Sequence, residues 1–329
     1  MENRNVNLQF ANRVAVVTGG GHGLGRTYAR ELASRGAIVV INDIGCAPDG
    51  LSTAESVAGE IASSGGTATA HLGSIADPTV ARTLIEETVD RFGRIDILVN
   101  NAGFTTMTDF TSHALADLDD LLDVHLRGPF AATQEAFRHM ERNGYGRIVF
   151  TSSSAGVFGR VGGGGYSIAK TALLGLMNIV SLEGMKSGIL ANVILPSGKT
   201  NIEVRGGARV PSNDRLRETF GLMDSFLAPE FVTPLLVYLC SEQCDVSHRI
   251  YSVIGGRYAR VFVGVTEGWM AEGTTPPSVE EIAGHLSTID AMDAWTLPLS
   301  AEDELTEVAE RRRIFPPRGH SPESRGGPC

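Results

Sequence analysis

Cysteine is scarce in this chain. Its four cysteines, Cys46, Cys240, Cys244 and Cys329, form no CxxC pair and sit beside no His-x-His cluster. That argues against a disulfide framework and against a metal site, and reduced, mostly buried thiols are expected. Positive charge is also short, since 28 Lys and Arg face 38 Asp and Glu for a formal charge of −10. Neither nucleic acid nor an anionic membrane surface attracts such a chain at long range, although a local basic pocket can still bind a phosphate. No run of about 18 uncharged apolar residues occurs. The start, MENRNVNLQF, has no apolar segment of the signal-peptide kind, and the final GPC matches no lipidation or peroxisomal address. A soluble cytoplasmic protein is expected.

Glycine is the opposite case, at 39 of 329 residues, in a chain of ordinary globular composition that is 42% hydrophobic and 20% charged. From residue 13 onward, short β-branched runs alternate with helical patterns. RVAVVTG precedes a helix over 24–35, AIVVIND one over 51–64, TATAHLG one over 77–92, and IDILVNN one over 115–143. RIVFTSS, a helix over 166–187, LANVILP, a helix near 229–242 and RIYSVIGG continue the series. Such repeats spell βα units, and near-continuous apolar strands belong to a parallel sheet covered on both faces. The fold class is therefore α/β, a Rossmann-like doubly wound parallel sheet of about seven strands with ligands beyond the strands' carboxyl ends. Residues 1–10 read as an N-terminal arm, 11–269 as the catalytic domain, and 270–329 as a C-terminal extension ending in a disordered tail. Within the domain, the polar, turn-rich residues 198–226 are expected to form a lid.

The first βα turn, TGGGHGLGR, spaces Thr18, Gly19, Gly23 and Gly25 as T-G-x-x-x-G-x-G between a strand and a helix. Glycines let the backbone turn sharply and approach a diphosphate, to which the helix N-terminus offers free amides and partial positive charge. His22 and Leu24 lie in the same turn. Asp43 ends the second strand 18 residues past Gly25, where an acid meets the adenosine ribose. A carboxylate there accepts from ribose hydroxyls and repels a 2′-phosphate, so NAD is the expected cofactor. His22, just before Gly23, is the one feature that could welcome a phosphate.

These motifs, with NNAG at 100–103, a serine at 153 and Y-x-x-x-K at 166–170 in the same order, resemble the short-chain dehydrogenases/reductases over about residues 11 to 256. The resemblance implies a dehydrogenase in which Asn101, Ala102 and Gly103 line the cofactor, Tyr166 exchanges a proton with the substrate, Lys170 holds the nicotinamide ribose and Ser153 steadies the substrate oxygen. Ser152 and Ser154 are alternatives to Ser153 by position alone. In physical terms, Tyr166 and Lys170 share a helix face, and an ammonium and an oxidised nicotinamide would both favour the phenolate. His125 falls where relatives carry a catalytic asparagine, and can keep a proton relay in altered form. Ser74 stands beside Gly73, which replaces an adenine-contacting aspartate, and Pro196 and Thr200 follow the sixth strand as cofactor contacts. The four glycines at 162–165 predict a roomier or more mobile approach to Tyr166.

VHLRG, FGRIDILVNNAG, YGRIVFTSSSAG and APEFVTPLLVYLCSE are similar to the dehydrogenase part of the peroxisomal multifunctional enzyme and its free-standing bacterial relatives. That implies a (3R)-3-hydroxyacyl-CoA as substrate and a homodimer or homotetramer. Arg160, Arg205 and Arg209 are candidates for the thioester's phosphates. A hydroxysteroid or cyclic terpene alcohol is the alternative, with Phe158, Phe220, Leu222, Met223 and Phe226 as an apolar lid. A regulatory protein that binds NAD without turnover is a third reading.

Overall fold

The computed structural model describes residues 8–46, 50–198, 204–205, 218–219, 221–312 and 325–326. The chain divides into two compact units, Met1–Arg260 and Val261–Cys329, so the division falls ahead of the expected change at 270. Most of the expected lid, Thr200, Arg209, Phe220, Cys329 and nearly all of the tail beyond 312 lie outside the described residues.

The first unit is built on eight strands. They are β1 (Val14–Thr18), β2 (Ile38–Asp43), β3 (Thr67–Leu72), β4 (Ile97–Asn100), β5 (Gly146–Thr151), β6 (Ile189–Ser197), β7 (Arg249–Ile254) and β8 (Arg257–Val261). Their order is β8-β7-β6-β5-β4-β1-β2-β3, and the first seven run parallel. Every residue of β1, β4 and β5 is buried, as strands covered on both faces require. The sequence reading missed β8, which returns on β7 through Gly255 and Gly256. Their φ values of 57° and 80° are the left-handed pair of a two-residue hairpin turn.

Helices α1 (Gly23–Ser34), α2 (Thr53–Ser63) and α3 (Pro78–Phe92) connect the first strands. The caps are legible in the sequence: Ser52 accepts from the Glu55 amide, Asp77 from the Thr79 amide, and Gly93 closes α3 in the left-handed region. The single helix expected over 115–143 is two, α4 (Leu115–Leu122) and α5 (Gly128–Asn143), joined by a π-helical turn at Asp123–Arg127. Pro129 has no amide to continue an α ladder, and a Cβ on Gly128 would run into the Ile75 carbonyl, so the backbone widens before α5. The turn carries His125 into the interior. Next come α6 (Ser154–Phe158), α7 (Gly164–Gly184) and α8 (Thr233–Cys240). By length and composition α7 could cross a bilayer. Here it buries Tyr166, Ala169, Lys170, Leu173, Met177 and Val180 on one face, which identifies it as the core helix of this unit.

The second unit holds α9 (Val279–Ile289), α10 (Ala301–Arg311) and three two-residue strands. Ser278 and Glu281 form a reciprocal cap on α9. None of residues 261–312 is buried. Of the described cysteines, Cys240 and Cys244 are buried, Cys46 is exposed, and all three are free thiols.

Candidate active site

A cleft of about 470 Å³ opens at the carboxyl ends of the parallel strands. Thr18 is buried beneath it, and its hydroxyl accepts from the amides of Asn101 at 3.0 Å and Ala102 at 3.1 Å. Asn101 Nδ2 answers by donating to the Thr18 and Gly19 carbonyls at 3.0 and 3.1 Å. The turn after β1 and the turn after β4 are thereby locked together. Gly19 has φ +62°, and a Cβ on Gly25 would run into the Gly19 carbonyl oxygen, so both positions require glycine.

Gly19, His22, Gly23, Leu24, Gly25, Asp43 and Ser74 line this end of the cleft. No acid occupies the first turn of α1 and its N-cap, His22, makes no side-chain cap, so no side chain of that turn competes with an anion for the helix N-terminus. Asp43 accepts from the Gly21 amide through Oδ2 and from the Gly45 amide through Oδ1, each at 2.8 Å. Gly73 also lines the cleft, with its carbonyl held by Asn42 Nδ2 at 2.9 Å. The glycine-lined turn, the uncapped helix N-terminus and the anchored carboxylate fit a dinucleotide, whose diphosphate α1 would hold and whose ribose Asp43 would hold.

At the other end, Asn101, Ala102, Gly103, Tyr166, Lys170 and Pro196 line the cleft. Lys170 Nζ donates to the Thr151 carbonyl at 2.7 Å and lies 5.7 Å from the centre of the Tyr166 ring. Burial pushes its pKa down to about 7. Burial also raises the Tyr166 phenol, opposed by a hydrogen bond with Ser153 and by the charge of Arg160.

The three serines differ in their hydrogen bonds. Ser152 donates to the Lys170 carbonyl at 2.7 Å, Ser154 Oγ is buried without a partner, and Ser153 meets Tyr166 while capping α6. Ser153 does not line the cleft wall itself.

His125 is fully buried behind the floor rather than in the cleft. Its Nε2–H donates to the Phe104 carbonyl at 2.7 Å, which leaves Nδ1 unpartnered, and its ring meets that of Tyr166 edge-on at 5.5 Å. Burial and the nearby Lys170 hold it well below the ordinary imidazole range, against that hydrogen bond, so it is neutral.

The glycines at 162–165 do not make the roomy approach expected of them. The Thr108 amide donates to the Gly162 carbonyl at 2.7 Å, Phe110 lies against Gly164, and a Cβ on Gly165 would strike the His113 ring. They let the segment after β4 pack on the start of α7. Sequence reasoning missed Asp120, Asp123 and Val124, which line the cleft from α4 and the turn after it. Their i, i+3, i+4 spacing marks one helix face, but nothing in the sequence says that this face meets the cleft.

The chain matches the short chain dehydrogenase family over residues 13–206. It is 39% identical over 255 residues to the mouse peroxisomal multifunctional enzyme type 2, covering 76% of this chain and 32% of that enzyme. It thus spans about a third of that relative's length. A short-chain type dehydrogenase/reductase of Mycobacterium tuberculosis is 37% identical over 282 residues, covering 84% of this chain and 94% of that protein. Among solved structures, the full-length Drosophila melanogaster peroxisomal multifunctional enzyme type 2 superposes with a TM-score of 0.73 at 31% identity, covering 92% of this chain and 50% of that one.

Proposed function

Because the chain belongs to the short-chain dehydrogenase family, we propose that it is an NAD-dependent oxidoreductase interconverting a secondary alcohol and a ketone. The observation that carries this reading is the meeting of Tyr166 and Lys170 at one end of a cleft, with Ser153 hydrogen-bonded to Tyr166, while the other end has the glycine-lined turn and carboxylate that fit a dinucleotide.

When bound, oxidised nicotinamide supplies the hydride acceptor and a positive charge close to Tyr166. Tyr166 takes the hydroxyl proton of the alcohol, and Ser153 hydrogen-bonds the same oxygen and keeps it in line. Lys170 holds the nicotinamide ribose and passes protons between the phenol and solvent. His125 fixes the Gly103–Phe104 backbone that lines the cleft. Asp43 supports NAD over NADP, since its carboxylate is anchored in the cleft lining, where it would accept from ribose hydroxyls and repel a 2′-phosphate, and the only described cationic or ionisable-base side chains lining the cleft are His22 and Lys170.

For the substrate we propose a (3R)-3-hydroxyacyl-CoA. The similarity to peroxisomal multifunctional enzymes supports it, and so does Arg160, whose charge reaches Tyr166 from the site's edge. The exposed side chains of Phe110, Phe158 and Val161 favour a second reading, a hydroxysteroid or cyclic terpene alcohol, because each is apolar and lies near the start of α7. Exposed Phe130, Ile168 and Ile179 on α5 and α7 support a homo-oligomer. NADH formation measured over 3-hydroxyacyl-CoAs, hydroxysteroids and cyclic terpene alcohols tests the substrate. Turnover confined to the cyclic alcohols would remove the thioester.

A further inference from the structure

Asn42 on β2 and His71 on β3 are register partners in the parallel sheet, and their side chains meet at the carboxyl ends of the strands. Asn42 is buried and joins two turns of the cleft wall. Its main-chain carbonyl accepts from the Gly20 amide at 3.0 Å, and its Nδ2 donates to the Gly73 carbonyl at 2.9 Å. The same Nδ2 lies 3.1 Å from His71 Nδ1, with the His71 carbonyl farther off at 3.5 Å. The Gly73 carbonyl can only accept, so it fixes which side of the Asn42 carboxamide is nitrogen. His71 Nδ1 must then accept as well, which makes His71 a neutral imidazole protonated at Nε2.

The sheet runs β1-β2-β3 at this edge. With a diphosphate on α1 and a ribose at Asp43 of β2, the base of a dinucleotide would fall at the end of β3, where Gly73, Ser74, Ile75 and Ala76 line the cleft. Gly73 brings no side chain to that wall, and a Cβ there would press on Val80. The wall is backbone, placed by whatever holds its carbonyl. Among the described charged groups, Glu87 of α3 faces the ring, 3.9 Å from Nε2. The others on the elements packed against β3 are engaged elsewhere: Arg91 of α3 donates to the Thr69 hydroxyl, Asp43 accepts from two amides, Glu60 of α2 pairs with Arg26, and Glu55 of α2 accepts from Ser52. Burial lowers the His71 pKa from the ordinary imidazole value, against Glu87 and a backbone hydrogen bond.

We infer that His71 is a positioning residue for the adenosine end of the cofactor: as a neutral acceptor it holds the Asn42 carboxamide, and through it the Gly73 carbonyl, where the base packs. This rests on the cofactor reading given above. A protonated ring carries N–H on both nitrogens and cannot accept from Asn42. Asn42 must then turn its oxygen to the ring, and the Gly73 carbonyl loses its donor. Binding therefore favours the neutral ring, so affinity is full above the folded-state pKa of His71 and falls as pH drops through it.

NAD binding to the full chain, followed by calorimetry from pH 8 to pH 5, needs no substrate and so stands apart from any error about the alcohol. His71→Asn keeps an oxygen that can accept from Asn42 but does not titrate, and should match the unmodified protein at pH 8. Relative to that variant, the unmodified protein should lose about 2–10-fold in affinity by pH 5, the worth of one neutral hydrogen bond. His71→Phe fills the space without an acceptor and should show the weakened affinity at pH 8 as well. Titration of His22 and Lys170 is common to all three proteins and cancels in the comparison. If the unmodified protein and His71→Asn share one pH profile, or if His71→Phe binds at full strength, the inference is overturned. Failure of the unmodified protein to bind NAD at any pH would instead overturn the cofactor reading beneath it.

Discussion

The Cε1 edge of His125 stands where a Cβ on Gly103 would be, and the same ring donates Nε2–H to the carbonyl of Phe104 at 2.7 Å. The two residues act as one packing unit, in which the missing side chain at 103 makes room for the buried imidazole. The backbone lining the cleft takes its position from that fit. Gly103→Ala should destabilise the protein by about 1–3 kcal/mol, the usual cost of overpacking a core. In a domain of this size that lowers Tm by roughly 2–10 °C. Thermal unfolding of Gly103→Ala, His125→Ala and the pair checks it. If the fit is the cause, the double variant recovers at least about 0.5 kcal/mol relative to additivity; strict additivity would separate the two residues.

Tyr166→Phe removes the group that exchanges the proton and nothing else from the cleft wall. Turnover with NAD should fall by about 10²–10⁴-fold, the range for loss of a positioned acid–base group. NADH affinity should stay within about twofold, because the phenol oxygen is not among the groups that hold the diphosphate. Normal turnover would mean that another residue takes the proton.

Lys170 gives a prediction for stability against pH. Its ammonium is buried and its pKa in the folded protein is about 7, against about 10.4 in an unfolded chain. Between those values the unfolded state binds the proton and the folded state does not, so folding is penalised as pH falls, and the penalty is complete below pH 7. Lys170→Met should therefore raise Tm at pH 6 and do so less at pH 9, while turnover is lost. A gain of about 1 kcal/mol or more at pH 6 is expected, since each tenfold difference in proton affinity between the two states is worth about 1.4 kcal/mol. Loss of Tm at pH 6 would show that the bond to the Thr151 carbonyl outweighs the burial of the charge.

Seven strands were legible because most are apolar runs bounded by turn residues, and the glycine-rich turn was legible because such a motif between strand and helix has few other uses. The break between α4 and α5 was not, since a π-helical turn leaves the apolar spacing of the flanking helices intact. Its cause, Gly128 against the Ile75 carbonyl, exists only once the fold has brought them together. Gly162 to Gly165 misled for a related reason: glycine marks both loose chain and close contact, and His113, which fills the space beside Gly165, is 52 residues away in sequence. β8 was missed because the two-glycine turn was read as the end of the sheet. The pair Tyr166 and Lys170 was visible as a spacing and Ser153 was picked out by the resemblance, but that Ser152 spends its hydroxyl on the Lys170 carbonyl could be seen only in the fold.

Asp43 is held by two amides while it faces the cleft, so its neutral isostere has a definite cost. A carboxamide has one acceptor oxygen, and Asp43→Asn must leave either the Gly21 or the Gly45 amide facing an NH₂ group. Leaving a partly buried donor unsatisfied costs roughly 1–3 kcal/mol, so NADH affinity should fall by about 5–150-fold. Removing the carboxylate charge also removes the repulsion toward a 2′-phosphate, so NADPH affinity should fall less than NADH affinity at pH 8. Titration of both nucleotides against the variant checks the two effects together. Equal losses for the two would mean that Asp43 serves only to tie the loops, and unchanged affinity for NADH would mean that the ribose does not lie beside it.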